Sequence, residues 1–138
     1  MKKLILISAL LLIASGCGNH PDTRLSCECI EQVIGETENE CNDSISIVIN
    51  DKKKTFTINN EEYRTYKDPD TASIFKWELD FGDNKITHRT TLPEAGGGFQ
   101  TEYRELDRIT LVYVFHVIRK QAKNNYLATY QCKVVEGV

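Results

Sequence analysis

The sequence of 138 residues is poor in the residue patterns that carry catalysis or hold metals. Its three histidines, His20, His88 and His116, lie far apart, so none has the His-x-x-x-His spacing of a helical metal site. No serine lies in a Gly-x-Ser-x-Gly turn, and no nucleophile is accompanied by a base and an orienting group. We therefore expect no enzyme, no catalytic residue, no metal and no cofactor.

An excess of basic charge and a long hydrophobic run are also missing. Lysine and arginine number 17 against 20 aspartates and glutamates, a formal net charge of −3. This balance argues against a nucleic-acid partner, which would need a basic footprint for its phosphates. The longest apolar run, residues 4–14 with Ser8 as its polar break, is too short to cross a bilayer as a helix.

The start of the chain has the organisation of an export signal. Two lysines follow Met1, the apolar run comes next, and small residues lead to Cys17. This order is typical of a secretory signal with a cleavage site. Residues 14–17, Ala-Ser-Gly-Cys, resemble the lipobox of bacterial lipoproteins.

The resemblance to bacterial lipoproteins implies a processed and lipidated protein. The signal, residues 1–16, would be removed, and Cys17 would be acylated, with palmitate among its lipids. The partner would then be the lipid bilayer and the location the cell envelope. In Gram-negative members an aspartate after the cysteine favours the inner membrane, so Gly18 implies the outer membrane, facing the periplasm or the surface. Residues 17–26 would be a lipidated tether and residues 27–138 a single β domain.

The remaining cysteines predict two disulfides. Of five cysteines, Cys17 would carry lipid, which leaves Cys27, Cys29, Cys41 and Cys132. An even number in a small exported domain is typical of disulfides, with three possible pairings. A Cys27–Cys29 bridge is disfavoured because same-face strand positions point in parallel. A turn at Gly35 would favour Cys29–Cys41 with Cys27–Cys132, and Cys27–Cys41 with Cys29–Cys132 stays open. A metal site on the first three has the wrong spacing for zinc.

The remainder of the sequence alternates with a period of two, which is typical of strands. Ile45, Ile47 and Ile49 alternate with Ser46 and Val48, and Asn59-Asn60 is a turn signal because asparagine tolerates positive φ. Apolar and charged residues alternate through residues 75–81 without exception, and in residues 108–119 both the odd-numbered and the even-numbered positions are mostly apolar. The latter pattern predicts a central strand covered on both faces. With turn signals at short spacing, the chain predicts an all-β fold: a small antiparallel barrel or sandwich of about eight strands. Helix is plausible only in residues 29–37 or 102–106.

The predicted inward positions are bulky, which favours a filled core over a ligand cavity. They are Phe75, Trp77, Leu79, Phe81, Tyr113 and Phe115.

A glycine-rich loop is the first candidate for contact with a partner protein. Gly96, Gly97 and Gly98 are followed by Phe99 and Tyr103, and loops of this kind on a rigid sheet often carry binding contacts. A phosphate cradle is disfavoured because no helix start follows. The second candidate is the solvent face of residues 75–81, with Lys76, Glu78 and Asp80.

A small disulfide-linked β domain on a short lipid tether resembles periplasmic inhibitors, immunity proteins and exclusion lipoproteins. This resemblance implies a lipid-anchored binding module whose partner is another envelope protein. The alternative is a structural accessory of an envelope assembly complex. A small-ligand carrier or an enzyme is less favoured.

Overall fold

The structure is a computed structural model that describes residues 22–63 and 76–135. Within these ranges the chain forms ten strands, one 3-10 turn at Ala122–Asn124 and no α-helix. The strands are β1 (Thr23–Ile34), β2 (Thr37–Asn39), β3 (Ser44–Asn50), β4 (Thr55–Ile58), β5 (Glu61–Tyr63), β6 (Lys76–Phe81), β7 (Lys85–Pro93), β8 (Phe99–Asp107), β9 (Val112–Ile118) and β10 (Tyr126–Val134).

The strands form one antiparallel sheet that curls into a nearly closed barrel, which confirms the all-β expectation. Nine strands follow the order β5-β4-β3-β1-β10-β9-β8-β7-β6, and β2 pairs with β1 beside this path. The two segments for which helix was plausible lie in strands instead, residues 29–37 largely in β1 and residues 102–106 in β8. Cross-strand pairing on both sides overrides their weak local signal.

Side chains from the two ends of the sheet contact each other, which holds the sheet in its curled form. Arg108 forms an ion pair of 2.9 Å with Asp51 of the β3–β4 turn and donates a hydrogen bond of 3.2 Å to the carbonyl oxygen of Gly82. The same guanidinium lies over the ring of Phe81, as does the Lys54 ammonium. The turn before β4 is thereby joined to the turn after β6, although these strands are far apart in the sheet order.

The core lies inside the barrel and follows the period-two pattern of the strands. Its fully buried side chains include Phe56, Leu25, Ile47, Ile86 and Leu106. At about 25 cal/mol per Å² of apolar surface removed from water, such residues supply the main drive to fold. The last residues of the predicted tether belong to this domain, because β1 begins at Thr23 and Leu25 is buried.

Two sequence interpretations about burial are corrected. The strand predicted over residues 108–119 is shorter: Ile109 lies in the preceding turn and is 73% exposed. The second face of β9 is only partly buried, with Ile118 44% exposed. Trp77 was expected in the filled core but is 41% exposed, since β6 is the last strand of the sheet order. Phe75 lies outside the described residues.

Both disulfides form, in the pairing that the turn at Gly35 favoured. Cys27 is bonded to Cys132 across β1 and β10, and Cys29 is bonded to Cys41. Gly35 has a φ of 63°, and its N–H donates to the carbonyl oxygen of Asn125 at 2.8 Å. A side chain at this position would also clash with the backbone of Lys123. Both the positive φ and this close approach therefore favour glycine in the turn.

Candidate binding surfaces

The glycine-rich loop connects β7 to β8 as a tight, internally bonded turn. Gly96, Gly97 and Gly98 have φ values of 90°, 93° and 98°, which residues with a side chain rarely adopt. The N–H of Glu94 donates to the carbonyl oxygen of Gly98 at 2.9 Å. The N–H of Gly97 donates to the carbonyl oxygen of Glu94 at 3.2 Å. The glycines therefore define the backbone shape of this loop.

A cleft of about 530 Å³ lies between this loop and the β9–β10 connection. One wall is formed by residues 93–97 and the other by residues around the 3-10 turn, including Arg119, Lys120 and Asn124. The backbone N–H of Lys120 donates to the Glu94 carboxylate at 3.3 Å and links the two walls. Two exposed apolar residues are next in sequence to residues that line the cleft: Phe99, 57% exposed, precedes Gln100, and Ile118, 44% exposed, precedes Arg119. Sequence analysis found the first wall and missed the second, which lies more than twenty residues away in the chain.

Tyr103 does not line this cleft. It shares the outer face of β8 with Phe99, because residues two and four apart point the same way. Its hydroxyl donates to Glu105 at 2.6 Å, and Arg89 of β7 lies 5.8 Å from its ring centre. Burial and the Glu105 hydrogen bond raise the pKa of Tyr103 to about 12. Gly96 and Gly97 thus line the cleft, whereas Phe99 and Tyr103 lie on the outer face of β8, where Tyr103 is hydrogen-bonded to Glu105.

The second candidate surface, the outer face of β6, is described in part. Glu78 and Asp80 are exposed on it, opposite Arg89 and Thr87 of β7. Neither Glu78 nor Asp80 lines the cleft beside the glycine-rich loop.

The barrel interior contains a polar cluster that sequence analysis missed. Arg104 of β8 is 9% exposed, and its guanidinium lies 4.5 Å from the ring centres of both Tyr63 and Phe115. Its Nη2 atom donates to the Glu102 carboxylate at 3.0 Å, but Nη1 is buried with no hydrogen-bond partner among the described residues. Leaving a buried donor unpaired costs about 1–3 kcal/mol, so this atom marks a site to explain.

His88 is the second polar residue of this cluster. It lies directly opposite Arg104 across β7 and β8, is 3% exposed and packs edge-on against Tyr63, with ring centres 4.9 Å apart. Burial and the neighbouring Arg104 charge lower the pKa of His88 to about 4, so the ring is neutral at pH 7. Its Nδ1 atom is also buried and unpartnered among the described residues. The period of two could have placed both residues inside, since His88 follows Ile86 and Arg104 precedes Leu106 by two positions.

Arg104 and His88 line a cavity of about 300 Å³ in which Trp77 and Tyr63 form apolar walls. A smaller cavity of about 140 Å³ lies on the other side of Arg104 and Tyr63. Both spaces open to solvent, so neither is an enclosed void in the core.

One group of potential metal ligands occurs among the described residues. The ligand atoms of Cys29, Cys41 and Asp43 lie within 4.8 Å of one another. Both sulfurs are bonded to each other, however, and a disulfide offers no thiolate to a metal. The group is explained by the disulfide.

In the described ranges no helix has the length and apolar character to cross a membrane. Searches of protein-family models, curated proteins and solved structures found no match to this chain. The predicted signal peptide, residues 1–16, and Cys17 lie outside the described residues.

Proposed function

We propose that this protein is a lipid-anchored binding module of the bacterial cell envelope that contacts another envelope protein through the cleft beside the glycine-rich loop. The observation that carries the proposal is the 530 Å³ cleft between residues 93–97 and the β9–β10 connection. Exposed apolar side chains beside a concave surface with polar walls are typical of interaction sites. The lipobox-like sequence at residues 14–17 supports the anchor, and the two disulfides are compatible with an oxidising compartment.

The binding partner would be a protein, as for inhibitor, immunity or exclusion lipoproteins. Phe99 offers a large apolar side chain that is already 57% exposed, so its burial by a partner needs no opening of the domain. Arg119, Lys120 and Glu94 place charges of both signs around the cleft and would give it specificity.

Site-specific crosslinking in intact cells tests this proposal. A photoreactive residue in place of Phe99 should capture one protein, whereas the same residue in place of Ile109 should not. Ile109 is the matched control because it is also apolar and exposed but lies beyond the opposite end of β8. The substitution Phe99→Ser should weaken binding of the captured protein at least tenfold, and Ile109→Ser should leave it unchanged.

The same experiment separates the binding module from a structural accessory. Capture of one host complex under all growth conditions would favour the accessory role. Capture only after a foreign protein enters the envelope would favour immunity or exclusion. Equal capture from Phe99 and Ile109, or none from either under both conditions, would reject the cleft as the contact surface.

A further inference from the structure

The end of the barrel at which the tether enters is a second surface, separate from the cleft. β1 begins at Thr23, six residues after Cys17, so an extended chain between them spans at most about 22 Å. The side chain of Asn50 donates a hydrogen bond of 2.6 Å to the Asp22 carboxylate, which holds the residue before β1 beside the β3–β4 turn, residues 51–54. A lipid on Cys17 would therefore keep this turn close to the bilayer.

The direction of the strands brings two more turns to this end. Neighbouring strands are antiparallel, so the β6–β7 turn (residues 82–84), the β8–β9 turn (residues 108–111) and the end of β10 lie where β1 begins. The contacts of Arg108 with Asp51 and with the Gly82 carbonyl oxygen join the three turns. We call the three turns and the end of β10 the tether end. The cleft lies at the opposite end of the barrel, because the β7–β8 and β9–β10 connections leave the other ends of the same strands.

The tether end is basic, although the chain as a whole is acidic. Its three turns carry four basic and two acidic residues, against a formal net charge of −3 for the sequence. Arg108 is paired with Asp51, whereas Lys52 and Lys53 are exposed and form no ion pair among the described residues. Each basic residue near an anionic membrane strengthens binding about fivefold at physiological ionic strength. The two lysines are therefore suited to lipid phosphates beside the point of attachment.

The same end also exposes apolar side chains. Ile109 of the β8–β9 turn is 73% exposed, more than any other large apolar residue among those the structure describes. Val134 and Val135 at the end of β10 are exposed as well, and the N–H of Cys132 joins this strand to the turn by donating to the Leu111 carbonyl oxygen at 2.8 Å. Binding at a membrane interface combines buried apolar area with attraction between basic side chains and anionic lipids. The tether end offers both.

We propose that the tether end lies against an anionic phospholipid bilayer, with Lys52 and Lys53 at the headgroup phosphates and Ile109 inserted into the interface. This inference rests on the lipid anchor of the proposed function. The anchor limits the distance between the domain and the membrane, and the contacts of the tether end set its orientation. The cleft then faces away from the bilayer, where another envelope protein can reach it.

Quenching of tryptophan fluorescence by brominated lipids tests this orientation. The lipidated protein, purified from its membrane, is reconstituted into phosphatidylcholine vesicles with or without phosphatidylglycerol, whose brominated acyl chains quench only a tryptophan at the bilayer. Ile109→Trp reports on the tether end and Phe99→Trp on the opposite end of β8, and the signal of Trp77, the single native tryptophan, is subtracted. With phosphatidylglycerol, quenching should be at least twofold stronger for Ile109→Trp than for Phe99→Trp.

Lysine variants test the role of lipid charge. In the Ile109→Trp protein, Lys52→Gln/Lys53→Gln should remove at least half of the quenching, as should omission of phosphatidylglycerol. Lys120→Gln/Lys123→Gln is the matched control, because it removes two exposed lysines from the β9–β10 connection, and it should leave the quenching unchanged. Equal loss in both lysine variants, or no loss without phosphatidylglycerol, overturns the contact with anionic lipid.

The same vesicles separate a failed orientation from a failed anchor. Protein that carries no palmitate and does not float with the vesicles overturns the lipid anchor, and this inference with it. Lipidated protein that floats with the vesicles but shows equal quenching at positions 109 and 99 overturns the orientation alone and leaves the anchor standing.

Discussion

Cys27 of β1 lies directly opposite Cys132 of β10, and the two are joined by a disulfide. The bond connects residues 105 positions apart and so links the first long strand of the domain to the last. Both side chains are buried, at 0% and 5% exposure, in the same core as Leu25 and Ile47. The disulfide is thus both a covalent closure of the chain and a packed part of the barrel interior.

The Cys27–Cys132 bond should contribute more to stability than the Cys29–Cys41 bond. In the chain-entropy model, closing a loop of about a hundred residues contributes about 4–5 kcal/mol, and one of about twelve residues about 3 kcal/mol. The double variant Cys27→Ala/Cys132→Ala should therefore lower the free energy of unfolding in urea more than Cys29→Ala/Cys41→Ala does. A larger loss of stability in Cys29→Ala/Cys41→Ala would contradict this ranking of the two disulfides. In the native protein, none of the four cysteines should react with a thiol reagent.

His88 should make the domain less stable as the pH falls. Its pKa is about 4 in the fold against an ordinary 6.5, so between these values the unfolded chain binds more protons. The free energy of unfolding is therefore unaffected by His88 above about pH 7 and decreases as the pH falls from 6.5 towards 4. The decrease between pH 7 and pH 5 is about 2 kcal/mol. Urea unfolding across this window should show the slope in the wild type and a flatter one in His88→Gln. Parallel slopes would contradict the burial of a neutral His88.

Cys17→Ala should stop acylation and normal processing, because the thiol that receives the first lipid is missing. Any processed protein should then leave the membrane fraction, since a secretory signal alone provides no lasting anchor. Fractionation with palmitate labelling measures both effects, and Cys27→Ala/Cys132→Ala is the control that keeps label and anchor. A Cys17→Ala protein that remained labelled and bound to the membrane would refute the lipoprotein hypothesis.

Local patterns in the sequence predicted most strands and turns. Asn59 and Asn60 indicated a turn because asparagine tolerates positive φ, and both adopt it, at 47° and 70°. The alternation around Ile45, Ile47 and Ile49 placed β3, with Ile47 and Ile49 buried. These features depend on neighbouring residues, so the sequence contains the information they need.

The candidate sites were harder to predict because each is built from distant segments. The glycines and Phe99 were found as a loop, but the opposite wall of the cleft comes from the β9–β10 connection. The pattern could place Arg104 inward, yet it could not show that Tyr63 and Phe115 flank its guanidinium. Those rings come from strands on different sides of the barrel.

The sequence by itself determined the all-β class, the alternating faces of the strands and the turn at Gly35 that set Cys29 near Cys41. Each of these follows from backbone preferences and from the period of two, which are local. The tertiary structure alone decided the curl of the sheet, the exposure of Trp77 and the open cavity beside Arg104 and His88. Alternation along a strand determines which face of the sheet a side chain is on. How tightly that side chain is packed depends on which distant strand lies across the barrel.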